Sequence, residues 1–299
     1  MAAVDALLVR LEQIDAAVDF ANVPGNTAPK PVLDLSARAA AVHGLASFEQ
    51  FLRERGAEWA SHLTAARISA SQMPGGPMEA SDRLVKTFPR RFRELDVAGR
   101  PALVQTLAQT LSSLSVGTFV AHDLLFSWPG SNVQASDVEA MIQLVGYERG
   151  WSELSAVWAK LDRRKPPSAS AESILTAFAQ LRHTIAHDVD SIPSPLDVSA
   201  LTRNVKLIAM LVDVLVSRAI YLTCAGRPVV KGAAESIVVR RVERVRGSWH
   251  EYGPKATRAY RRHPSLAVAM ASAGLRARAN GEVLLALDQG DFVNWQSQI

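Results

Sequence analysis

One short segment of the chain carries residue types that could perform acid–base chemistry. The stretch LRHTIAHD places Arg182, His183 and His187 within six residues. Histidine titrates near neutral pH and can take up or release a proton, whereas a guanidinium keeps its charge and presents a planar fork of donors. Such a pair suits metal-free cleavage of RNA, because the histidine can move protons at the 2′-hydroxyl and the leaving 5′-oxygen. The arginine can stabilise the charge that grows on the phosphoryl oxygens.

The same residues allow two other interpretations. His183 and His187 are four residues apart, so on a helix they share a face and could bind zinc. Zinc needs three or four protein ligands, however, and the sequence offers no further cluster of histidines and only one cysteine, Cys224. The segment could also be a plain helix C-terminus, in which Arg182 and the histidines bind the last carbonyl groups and Asp188.

The spacing of the arginine and the second histidine creates a geometric difficulty. On a regular helix of 3.6 residues per turn, Arg182 and His187 point about 140° apart. One helix therefore does not present both side chains to one substrate. A site built from two copies of the chain across a dimer axis removes this difficulty, and we predict a homodimer.

Several other kinds of site are missing from the sequence. It contains no GxxxxGK[ST] phosphate-binding loop, no GxGxxG after a strand, no HExxH and no GxSxG elbow. A single cysteine excludes an intrachain disulfide and a cysteine-built zinc site. We therefore predict neither a bound metal nor a cofactor.

The elements that must position the motif are predicted to be helices. Apolar residues recur at helical spacing in six segments, which are 3–21, 35–63, 101–126, a short one from Ser136, 170–187 and 196–224. Segments rich in proline and glycine at 22–31, 72–77, 128–132, 163–170 and 191–195 are predicted loops. The motif lies near the end of the helix predicted over 170–187.

The predicted secondary structure changes after Gly226 from helices alone to a mixture of strands and helices. Residues 236–242 and 281–287 are predicted strands, and residues 256–262 and 265–273 are predicted helices. The sequence thus predicts a mainly α protein, with a helical domain over residues 1–226 and a small α+β accessory segment over residues 227–299.

The accessory segment is basic, which favours a polyanionic partner. It holds 12 basic and 6 acidic residues, whereas residues 1–226 hold 21 basic and 23 acidic ones. Strand alternation would place Arg240, Arg244 and Arg246 on one face, where they could contact RNA phosphates, with Trp249 and Tyr252 as stacking partners. The alternative is a solvated face whose aromatic residues form a small local core.

The sequence favours a cytoplasmic protein without a membrane span. Its start has no basic segment before an apolar one, which argues against a signal peptide. The longest apolar stretch, Leu207 to Thr223, is interrupted by Asp213 and Arg218, whereas a span needs about 20 nearly uncharged residues.

The motif and its surroundings resemble one known superfamily. LRHTIAHD resembles the motif of the HEPN superfamily, an arginine followed after four to six residues by a histidine, in the form seen in the RiboL-PSP-HEPN group. Residues 38–49 resemble the first core helix of that group, residues 127–158 the stretch before the motif helix, and residues 196–224 the long apolar helix after it. The resemblance covers roughly residues 35–225.

This resemblance implies a HEPN-type helical bundle that dimerises and brings two motifs into one cleft. It implies a metal-independent endoribonuclease of a toxin–antitoxin, anti-phage or RNA-processing system, with an antitoxin or defence protein as a further partner. Arg182 and His187 match the catalytic pair, and His183 takes the position after the arginine that more often holds Asn or Asp. The superfamily also includes non-catalytic scaffolds that bind RNA, a nucleotide or a protein, and this is the alternative function.

Overall fold

The structure is a computed structural model that describes residues 2–21, 29–115, 118–130, 132–161, 170–188, 191–229 and 232–297. Within these ranges the chain forms nine α-helices and five β-strands. The helices are α1 (Ala2–Ala21), α2 (Lys30–Ala65), α3 (Gly76–Glu94), α4 (Arg100–Ser113), α5 (Ala135–Leu144), α6 (Gly150–Leu161), α7 (Ala171–His187), α8 (Pro195–Cys224) and α9 (Leu266–Ala279). The strands are β1 (Val239–Val245), β2 (Ser248–Tyr252), β3 (Arg261–His263), β4 (Val283–Asp288) and β5 (Asp291–Gln296).

The long helix α8 lies at the centre of the helical body. It begins with a capping box, because the Ser194 hydroxyl accepts from the amide of Asp197 (3.2 Å) and the Asp197 carboxylate accepts from the amide of Ser194 (2.9 Å). Helix α8 is long and apolar enough to cross a membrane, but 83% of its apolar stretch of 18 residues is buried inside the fold. This burial fits a core helix that packs against α1 and α2.

Asp213, one of the two charged residues that interrupt the apolar stretch of α8, is buried and paired. Nε of Arg55, on α2, lies 2.8 Å from the Asp213 carboxylate, and both side chains are almost fully covered. The indole N–H of Trp295, on β5, donates to the same carboxylate at 3.0 Å. Because a buried carboxylate is costly without partners, these contacts explain how an aspartate is accommodated there, and they tie the C-terminal sheet to the helices.

The residues after Gly226 form one mixed sheet and one helix. The strand order is β3-β2-β1-β4-β5, with β1 and β4 parallel and the other neighbours antiparallel. Leu284 and Ala286 point to the face that α9 covers, whereas Val283 and Leu285 belong to the same apolar cluster as α8. The sheet is therefore covered by α9 on one face and by the helical body on the other.

The prediction of a mainly helical chain with a small C-terminal α+β segment is confirmed. Helices α1, α7 and α8 match their predicted ranges to within one or two residues. The helix predicted over 101–126 is too long, since α4 ends at Ser113 and a separate short 3-10 helix follows at Asp123–Phe126. The predicted loop segments 22–28 and 163–169 lie outside the described residues.

The helix predicted over 256–262 is wrong. Residues 256–260 form bends and irregular backbone, and Arg261–His263 pair with β2 as strand β3. The amide of Tyr260 donates to the carbonyl of Glu251 at 3.1 Å, so hydrogen bonds to β2 override the local helical preference.

Candidate functional site

The candidate motif occupies the last turns of α7, which α2 holds in place. Ser170 caps the beginning of α7 by accepting from the amide of Ser173 at 3.0 Å. At the other end the Arg38 guanidinium, on α2, donates to the carbonyls of Ile185 (2.8 Å) and Asp188 (3.1 Å). Arg38, rather than a residue of the motif, therefore supplies donors to these terminal carbonyls.

The structure brings the two histidines of the motif together at the surface. The ring centroids of His183 and His187 are 4.4 Å apart at an angle of 50°. Both side chains are exposed, whereas Ile185 between them is buried and anchors the inner face of α7. Two imidazoles thus face solvent side by side, within reach of one phosphodiester group.

Arg182 lies on a different face of α7 from the two exposed histidines. It is half-buried, and its charge acts on the carboxyl group of Glu49, on α2. Burial raises the pKa of Glu49 above its ordinary value, against the opposing effects of the Val133 amide, which donates to it at 2.9 Å, and of the charges of Arg53, Arg182 and Arg90. Within one chain the arginine therefore lies near Glu49 on α2, whereas the histidines face solvent.

Three large apolar side chains near the end of α7 remain exposed. Leu35 is 67% exposed and lies one turn before Arg38 on α2. Ile192 and Leu196, which follow the motif in the chain, are 47% and 82% exposed. Exposed apolar residues that precede and follow polar candidate residues are the kind that another protein can cover.

The zinc interpretation gains no ligands from the tertiary structure. Among the residues that the structure describes, no group of three or more His, Cys, Asp or Glu side chains could hold a metal ion. His183 and His187 thus provide two ligands, whereas zinc sites use three or four.

The predicted RNA-binding face of the accessory segment does not form as expected. Arg240 is only 6% exposed, and it donates to Glu282 (2.6 Å) and Glu251 (3.0 Å). Trp249 is buried in the apolar cluster beneath α9. Because β1 is the central strand and α9 covers this face, Arg240 and Trp249 are buried inside the accessory segment. They are therefore not placed to contact RNA.

The other three predicted RNA-binding residues lie nearer the surface. Arg244 is exposed and pairs with Asp288 at 2.9 Å. Arg246 is exposed in the turn between β1 and β2, with a positive φ of 48°. Tyr252 is partly covered by the guanidinium of Arg241, which lies 5.5 Å from its ring centroid. Arg244 and Arg246 are therefore exposed whereas Arg240 is buried. The rings of Trp249 and Tyr252 take part in local packing.

The buried Glu251 carboxylate is the centre of a charged cluster between the sheet and α9. It accepts from Arg240 (3.0 Å), Arg276 (2.9 Å) and Tyr260, and it contacts Nε2 of His263 at 3.0 Å. Burial by itself would raise the pKa of Glu251, but the hydrogen bonds from Arg276, Tyr260 and His263 lower that pKa to about 2. The cluster stabilises the fold of the accessory segment.

Replacement of this carboxylate should change how stability depends on pH. A carboxyl group with a lower pKa in the folded state stabilises the fold above its unfolded pKa, and this contribution is lost as the pH falls toward the folded pKa. Glu251→Gln is therefore expected to lower the free energy of unfolding at pH 7 by about 2–3 kcal/mol. It should also flatten the loss of stability between about pH 5 and pH 2. Urea unfolding at several pH values measures both effects, with the exposed Glu148→Gln as control, and equal pH dependence in the two variants would contradict this role.

The sequence did not indicate a set of contacts among α2, α3 and the segment 124–128. Helix α3 fixes the segment 124–128, because Thr87 donates to the carbonyl of Leu124 (3.2 Å) and Arg90 to that of Trp128 (3.2 Å). On α2, Gly56 permits close contact, since a Cβ there would overlap the side chain of Phe126. The helical spacing of polar residues on α3 is a sequence signal that could have indicated this contact.

The fold and the motif together define a mainly helical protein with two exposed histidines and a half-buried arginine at the end of one helix. Comparisons with protein-family models, curated proteins and solved structures give no significant match to this chain. The relation to the HEPN superfamily therefore stays a prediction that rests on the motif and its helical context.

Proposed function

We propose that this protein is a metal-independent endoribonuclease of the HEPN type that acts as a cytoplasmic homodimer in a toxin–antitoxin or anti-phage system. The observation that carries the proposal is the exposed pair of imidazoles at His183 and His187, adjacent in sequence to Arg182. Among the described residues the terminal carbonyls of α7 are bonded by Arg38, which leaves the motif available for a substrate.

The proposed reaction is an attack of the ribose 2′-oxygen on the neighbouring phosphorus. His187 of one copy takes the proton from the 2′-hydroxyl as the 2′-oxygen attacks and then gives a proton to the leaving 5′-oxygen, and Arg182 of the other copy completes the site. Arg182 donates to the phosphoryl oxygens, on which negative charge grows. The products are a 2′,3′-cyclic phosphate and a 5′-hydroxyl, and His183 orients the ring of His187.

The dimer follows from the positions of these residues. Arg182 and His187 diverge by about 140° on their helix, so one protomer offers only part of the site. Leu35 lies one turn before Arg38, which binds the end of α7, and Ile192 and Leu196 follow the motif in the chain, so a second copy at this end would cover these exposed side chains. Burial of such residues is a favourable contribution to association.

The alternative function is a non-catalytic scaffold that binds RNA, a nucleotide or a protein partner. The observation in its favour is the position of Arg182, which is half-buried beside Glu49. In a scaffold the arginine would contribute to the charge balance around Glu49 rather than stabilise a transition state.

Cleavage of RNA by the purified protein in EDTA tests the proposal. We expect cleavage that does not depend on added metal and that leaves 2′,3′-cyclic phosphate ends, which a cyclic-phosphate-specific ligation assay detects. No cleavage of any RNA by an intact dimer would favour the scaffold. Cleavage only after addition of a divalent metal would instead support zinc at His183 and His187.

A further inference from the structure

A second basic site lies between α2, α3 and the segment that follows Phe126. It is a small, partly open pocket with a cavity volume of about 20 Å³. The residues that line it are Arg53, Thr87, Arg90, Arg91, Glu94, Ser127 and Trp128. Three of them are arginines and one is a carboxylate, so the pocket carries a net positive charge.

The aromatic residue of this pocket is stacked against two guanidiniums. Cζ of Arg53 lies 4.6 Å from the ring centroid of Trp128, and Cζ of Arg90 lies 5.7 Å from it. Arg90 also pairs with Glu94 at 2.7 Å, whereas Arg91 lies 3.5 Å from the same carboxylate. Arg53 and Arg91 are thus held more loosely than Arg90, and their donors can turn toward a ligand.

The tryptophan in the wall of this pocket is buried, and its indole donor has no acceptor among the residues that the structure describes. Trp128 is only 1% exposed, and its indole N–H has no hydrogen-bond acceptor in the part of the chain that the structure describes. A buried N–H without an acceptor costs about 1–3 kcal/mol. Because Trp128 also lines the pocket, its indole signal reports on a ligand that Arg53 and Arg91 hold there.

The pocket shares a charged neighbour with the catalytic motif. The charges of Arg53 and Arg90, which line the pocket, and of Arg182, on α7, all act to lower the pKa of the Glu49 carboxyl group. Because these three charges act on one carboxyl group, Arg182 and the pocket residues Arg53 and Arg90 all lie in the neighbourhood of Glu49. A positively charged surface that runs from a catalytic arginine into a pocket suits the phosphates of a single nucleic acid strand.

We propose that the Trp128 pocket binds a phosphate group, and that in the complex with RNA this group is a backbone phosphate of the strand that Arg182 contacts. The second part of this inference rests on the proposed function. Arg53 and Arg91 hold the phosphate oxygens through charge-assisted hydrogen bonds. The pocket sets affinity and strand direction, and it takes no part in proton transfer.

The first experiment uses inorganic phosphate as the probe and the full-length protein labelled with ¹⁵N at its tryptophans. The chain has six tryptophans, and Trp128→Phe identifies the signal of the Trp128 indole. Phosphate should shift this signal in a saturable manner, and Arg91→Gln should weaken the binding about tenfold, as loss of one charge-assisted bond predicts. Arg93→Gln, which removes an exposed charge from the same helix outside the pocket, should leave the binding unchanged.

The second experiment uses a single-stranded RNA oligonucleotide and protein that carries His187→Ala to prevent cleavage. Adding Arg91→Gln or Arg53→Gln should weaken RNA binding about tenfold. Each should also reduce the slope of log affinity against log salt by about 0.7, the value for one lost phosphate contact on a single strand. Adding Arg93→Gln is the matched control and should leave the slope within error of the parent protein.

The outcomes separate this proposal from the proposed function. If phosphate does not move the Trp128 signal, the pocket is not a phosphate site and the proposal fails. If phosphate binds but the RNA slope is the same with Arg91→Gln as with Arg93→Gln, the pocket serves a free phosphate compound, and the assignment to RNA is overturned. If both experiments succeed while the protein with an intact motif cuts no RNA, the pocket stands and the nuclease proposal fails.

Discussion

Alanine at His187 or at Arg182 is expected to reduce RNA cleavage by at least about 100-fold without unfolding the protein. Loss of a proton-transfer group costs about 10²–10⁴-fold, and loss of a donor to a developing oxyanion costs about 10²–10³-fold. The fold should tolerate both changes, because His187 is exposed and Arg182 is half-buried at the end of α7. The terminal turn itself is held by Arg38, which neither variant alters.

The measurement is the rate of cleavage of a defined RNA in EDTA, together with the unfolding midpoint of each variant. His62→Ala and Arg93→Ala are matched controls, since both remove an exposed residue of the same type outside the motif. Full activity of either motif variant would reject the assignment of the catalytic pair. A large fall in the unfolding midpoint would show that the residue acts on the fold rather than on the reaction.

Mixing the two inactive variants is expected to restore about a quarter of the wild-type activity. If each site takes Arg182 from one copy and His187 from the other, a heterodimer of Arg182→Ala and His187→Ala contains one intact pair. Random exchange makes about half of all dimers heterodimers, and each has one of its two sites intact, which gives the expected quarter. The gain over either variant alone is therefore large, because each alone is nearly inactive.

The mixture is prepared by unfolding and refolding the two variants together, and each variant refolded by itself is the control. Activity no higher than that of the single variants would show that arginine and histidine act within one protomer. Light scattering at micromolar concentration provides an independent check. A mass near 32.3 kDa, that of one chain, would contradict the composite site, whereas roughly twice that mass is expected.

The contrast between the motif and the accessory segment shows which interpretations a sequence can support. Ile185 is buried while His183 and His187 are exposed, as the helical period of LRHTIAHD requires. In the accessory segment the alternation of side chains along a strand places Arg240 on one face. This alternation does not show which face another element covers. Helix α9 covers that face, so the charge of Arg240 balances buried carboxylates.

The sequence by itself determined the helical class, the limits of α1, α7 and α8, and the change to a sheet after Gly226, because these follow from local periodicity, capping residues and β-branched content. Only the tertiary structure decided which charges are available. It paired Asp213 with Arg55, surrounded Glu251 with donors and placed Trp128 against Arg53. These contacts join residues on elements far apart in the chain, and a local pattern contains no information about such partners. Whether an arginine meets solvent, a carboxylate or an aromatic ring is therefore settled by packing, whereas the side of the helix from which it projects is settled by sequence.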